Sequence, residues 1–157
     1  MRVIVTRPQR EAQHWCQDLT TRGLDVVALP LIEVAAVTNA VPLQQAWERL
    51  GEWAAVMFVS ANAVRFLAQA LATTPEWLTH FQRGARAWCT GPGTAAALKA
   101  CGIPGHQIDQ PSNLAAQLDS ESLWQEVSDK VTPGMRVLFI RGADESGAIA
   151  GRDWLAQ

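Results

Sequence analysis

The 157-residue sequence predicts an α/β protein with a doubly wound parallel sheet of the Rossmann or flavodoxin-like kind, and three observations predict it. Short apolar runs recur along the chain, segments of helical period separate them, and small or polar residues follow most of the runs. The runs are Val3-Ile4-Val5, Val26-Val27-Ala28-Leu29, Ala54 through Val59, Ala85 through Cys89, and Val137-Leu138-Phe139-Ile140. They are nearly continuous rather than alternating, which is the pattern of parallel strands covered on both faces.

The intervening segments carry apolar residues at i, i+3, i+4 and i+7, the spacing that lines one face of a helix. Ala12, Trp15, Cys16 and Leu19 form the first such stripe, and Leu43, Ala46, Trp47 and Leu50 the second. Val64, Leu67, Ala68 and Leu71 follow, then Thr94, Ala97, Leu98 and Cys101, with Gly102 as the expected end of that helix. Ser120, Leu123, Trp124 and Val127 give the fifth. Strand and helix therefore alternate throughout. One break interrupts the rhythm: Pro30 through Pro42 is an extended, proline-bounded connection. It divides the chain into a strand–helix–strand piece at 1–33, a linker at 34–42 and a larger α/β unit at 43–145. Residues 146–157 are expected to begin a further helix.

Composition narrows the function. Apolar residues make up 48% and charged residues 18% of the chain, with no low-complexity tract, so a packed core is expected throughout. The net charge is −2, the only lysines are Lys99 and Lys130, and the eleven arginines are scattered singly. That excludes the basic stripe that grips nucleic acid and leaves anion binding to local geometry. Cys16, Cys89 and Cys101 are odd in number, widely spaced and without zinc-finger partners, so they read as reduced thiols in a cytoplasmic protein. No apolar run is long enough to cross a membrane.

In open α/β sheets ligands bind beyond the carboxyl ends of the strands. Four exits are polar and specific: Thr6-Arg7-Pro8, Ser60-Ala61-Asn62-Ala63, Gly91-Pro92-Gly93-Thr94 and Arg141-Gly142. Ser60 can cap the helix that follows it or bond a ligand, with the amides of residues 61–63 pointing outward. The glycines at 91 and 93 suit a tight turn and close approach of a ligand to a helix N-terminus. Arg7 and Arg141 are expected to follow strands on the same edge and could each fork onto a carboxylate, or be solvated surface residues. Read as a dinucleotide fingerprint, Gly91-Pro92-Gly93 would pair with Asp109 on a ribose, a weak match because Pro92 separates the glycines. His14, His80 and His106 share no spacing, which argues against a metal site or a catalytic triad.

Taken in order, Val3 through Pro8, Leu29 through Glu33, Val56 through Val64, Gly91 through Ala95, Asp119 through Leu123 and Val137 through Gly142 resemble the uroporphyrinogen-III synthase family. The resemblance implies a cofactor-free lyase of tetrapyrrole synthesis. Its substrate is hydroxymethylbilane, which carries eight carboxylates and is supplied by hydroxymethylbilane synthase. The reaction closes it to uroporphyrinogen III with loss of water and inversion of the terminal ring. Binding and orientation, rather than an essential acid or nucleophile, are thought to carry that reaction, so no catalytic residue is assigned. Thr6, Arg7, Ser60, Ala61, Asn62, Gly91, Gly93, Thr94 and Arg141 would contact the substrate.

The resemblance further implies two lobes, with residues 1–33 belonging to a first, incomplete lobe and the larger unit forming the second. The family's compact Arg-Gly-x-Gly-Gly-Arg is replaced here by a longer stretch between Gly142 and Gly151-Arg152, and the chain has no tyrosine for the family's candidate acid. A chain so divided is expected to be weakly active or inactive alone, and either to dimerise by exchanging its first piece or to leave that piece disordered.

Overall fold

The computed structural model describes residues 2–37, 39, 41–72, 77–112, 115 and 117–142. The chain divides into two compact units, Met1–Val37 and Thr38–Gln157. The expected start of a helix at 146–157 lies outside the described residues.

The first unit is a parallel strand–helix–strand, β1 (Arg2–Val5), α1 (Gln9–Thr21) and β2 (Asp25–Ala28), in the register Val3 to Val26. Gly23, at φ 80°, makes the left-handed turn that returns the chain to β2. The expectation of burial on both faces fails here. A helix in one crossover covers one face only, so Ile4 and Val27 stay 56% and 42% exposed among the described residues, and Val5 alone of the two strands is buried. The predicted stripe on α1 is also narrower than its spacing suggests: Ala12 is buried, whereas Trp15 is exposed.

The second unit holds a four-stranded, all-parallel sheet in the order β5-β4-β3-β6. Its strands are β3 (Ala55–Phe58), β4 (Arg86–Cys89), β5 (Ile108–Asp109) and β6 (Val137–Ile140). The helices are α2 (Val41–Glu48), α3 (Ala61–Ala70), α4 (Trp77–Gln82), α5 (Pro92–Ala100) and α6 (Ser120–Val127). Here both faces are covered. Val56, Phe58, Ala87 and Cys89 pack with Val64, Leu67 and Leu98, while Ala55, Met57 and Trp88 pack on the other face with Leu123 and Val127. The alternation along β3 and β4 is the two-residue period of a strand, with apolar neighbours on each side. Two features depart from the sequence reading: α2 begins at Val41, so the last two residues of the expected linker are helical, and β5 was not foreseen. Pro42 is tolerated because it sits in the first turn, where its missing N–H has no intrahelical partner to lose.

β5 is anchored by charge. Arg86 donates from Nε and Nη2 to the two carboxylate oxygens of Asp109 at 2.7 and 2.6 Å, and Lys130 Nζ donates to Oδ1 at 2.6 Å. Arg86 Nη1 also donates to the His106 carbonyl at 2.7 Å, tying the approach to β5 to the start of β4. Burial, the largest influence, pushes the Asp109 pKa upward, but the hydrogen bonds and charges of Arg86 and Lys130 outweigh it and hold the carboxyl below its ordinary range. A carboxyl held low in the folded state stabilises the fold at neutral pH, and that contribution disappears as the pH falls through the folded-state pKa. Asp109→Asn should therefore cost about 2 kcal/mol at neutral pH, discounted from the fully buried case because both cations reach solvent. Urea unfolding of both proteins across pH checks this: the gap between wild type and variant should shrink as the pH falls below the ordinary aspartate value of about 3.9.

Candidate functional site

Three strand exits stand side by side on the carboxyl edge of the second unit. Parallel pairing in the order β4-β3-β6 puts Ser60, after β3, between Gly91, after β4, and Arg141, after β6. Adjacent strands lie about 4.8 Å apart, so the three exits span a width suited to a single ligand. Val59 N donates to the Ile140 carbonyl at 3.3 Å, carrying the pairing to the edge itself.

Ser60 is extended (φ −162°, ψ 161°), and its hydroxyl oxygen accepts the Ala63 amide at 3.2 Å, capping α3. Of the amides expected to face outward, that of Ala63 is therefore satisfied within the protein. Ala61 is exposed and Asn62 half-buried. Gly91 is the N-cap of α5 and brings no side-chain cap, and Pro92 in the first turn has no N–H. Neither Gly91 nor Gly93 has positive φ, so the glycines are not required by backbone conformation. Gly93 leaves room: among the described residues nothing lies within 4 Å of a Cβ built on it. The Thr94 side chain is buried, and Arg141 is half-buried.

The helix ends along this edge differ in charge. α3 and α5 present neutral caps, so the positive ends of their dipoles are uncompensated. α6 is capped by Asp119, whose Oδ1 accepts the Ser122 amide at 2.9 Å, and this hydrogen bonding holds the carboxyl below its ordinary range. An anion is thus favoured at α3 and α5 and disfavoured at α6. Cys89, beneath Gly91, is disarmed as a nucleophile: burial pushes its thiol up to about 11, against a weaker opposing hydrogen bond to the Gly91 carbonyl at 3.8 Å.

Thr6 and Arg7 follow β1 in the first unit, not the same sheet as Arg141, so their expected common edge is not found. Both are exposed, and Arg7 pairs with Glu11 one helical turn on at 3.7 Å. Asp109, placed on a ribose by the dinucleotide reading, is held in its ion cluster and unavailable for that role. Among the described residues no His, Cys, Asp and Glu group could hold a metal ion, and no helix is long and apolar enough to cross a membrane. Two residues of this edge escaped the sequence reading. Gln110, at the exit of the unforeseen β5, keeps a buried Oε1 without a partner among the described residues, and Leu118, 52% exposed, lies 3.6 Å from a Cβ built on Gly91. No apolar run precedes Gln110, since β5 is Ile108–Asp109, so nothing in the sequence marked it as a strand exit.

Residues 13–152 match the family described as uroporphyrinogen-III synthase HemD. This chain belongs to the uroporphyrinogen-III synthase family. A curated uroporphyrinogen-III synthase from Chlorobaculum parvum is 32% identical over 153 residues, covering 94% of this chain and 55% of the relative. The chain thus spans about half the length of that relative. In fold it is similar to a mutant uroporphyrinogen III synthase from the extremely thermophilic bacterium Thermus thermophilus, at a TM-score of 0.54 and 16% identity over 88% of this chain and 60% of the other. Family membership and the parallel α/β architecture agree with the sequence reading.

Ser60 offers a test of which group organises the α3 terminus. Ser60→Ala should lower the unfolding free energy by about 1 kcal/mol through the lost cap, whereas Ser60→Asp, an equally good cap, should stay within a few tenths of wild type. Chemical denaturation of the two variants measures this directly.

Proposed function

We propose that this chain supplies the polyanion-holding edge of a uroporphyrinogen-III synthase. The bound substrate would be hydroxymethylbilane, closed to uroporphyrinogen III with loss of water and inversion of the terminal ring. The observation that carries the proposal is the row Gly91, Ser60, Arg141 across neighbouring strand exits, with two uncompensated helix N-termini beside one arginine. Such an arrangement meets carboxylates with dipoles and a single guanidinium, which suits a ligand whose many charges are spread around a flexible frame.

On this reading Ala61, Asn62, Gly93 and the backbone of Thr94 complete the contact. Leu118 gives a pyrrole ring an apolar surface beside Gly91. Residues 1–33 belong to one lobe and 43–145 to another, with 34–42 joining them. The chain's part in the reaction is to hold a reactive chain of rings so that the correct carbon attacks, a contribution from orientation rather than proton transfer. No cofactor is invoked, and the upstream partner is the enzyme that makes the bilane.

The test uses the stable octacarboxylate uroporphyrin III and enzymatically generated hydroxymethylbilane. Binding should weaken with salt, and Arg141→Gln should weaken it about tenfold. Ser60→Asp keeps the cap but adds a negative charge, so it should bind about tenfold more weakly than the neutral cap Ser60→Asn. Equal affinities for those two variants would remove α3 from the site. Isomer III formed from the bilane adds turnover to binding, and binding without turnover would support a binding module instead.

A further inference from the structure

We draw no further inference here: the strongest candidate, the apolar face of the first unit's two-stranded sheet where the paired residues Ile4 and Val27 stand exposed, carries none, because nothing in the structure shows what covers it.

Discussion

Ala55–Phe58 is buried at all four residues and paired in parallel on both sides, with β4 in the register Phe58 to Cys89 and with β6 in the register Phe58 to Ile140. Everything that positions the candidate site follows from this. Because the three strands run in the same direction and in step, their exits reach one edge together, and the helices after β3 and β4 must begin there. A one-residue slip of β6 would move its polar exit out of line with Ser60 and turn its apolar residues to the wrong faces. The register is held by packing on both faces, where Val56 and Phe58 meet the α3 and α5 side while Ala55 and Met57 meet α6.

The electrostatics of the edge then depend on how each helix is capped. A serine, a glycine and an aspartate occupy the N-cap positions of α3, α5 and α6. All three conform to ordinary capping preferences, yet they differ in what they leave for a ligand. The neutral pair leaves two positive dipole ends adjacent, whereas Asp119 fills the third with a negative charge. Helix stability alone would permit aspartate at all three, and such an edge would repel a polycarboxylate. The charge pattern of the candidate site is therefore legible in the choice among equivalent caps.

The sequence was informative where one periodicity ruled. The long runs became β3, β4 and β6, and the stripes at Val64, Leu67 and Leu71 and at Thr94, Leu98 and Cys101 lie inward on α3 and α5. Gly102 adopts φ 99°, a conformation just past a helix that glycine serves best. β5 was missed because it is two residues long and contains Asp109, a poor strand former whose cost is offset by Arg86 and Lys130, partners distant in sequence. Trp15 was misread because spacing alone does not say how wide the covering surface is. Of the two reasons expected for glycine at 91 and 93, a special backbone conformation is not required by their dihedrals, which leaves close approach, with open space at Gly93 among the described residues.

Titratable groups that could have suggested chemistry are each held out of it by their surroundings. Cys89 lies close to the edge, but desolvation keeps it a thiol at neutral pH. Asp109 is neutralised by two cations, and His80 is tied to Trp53 at the far end of the sheet. What the edge does offer is fixed direction: backbone dipoles carried by a sheet that packing prevents from slipping. Groups of that kind need no reorganisation to face an anion and do not compete for protons. The function proposed above, folding a flexible substrate so that one carbon attacks from one face, would draw on that property more than on a proton donor.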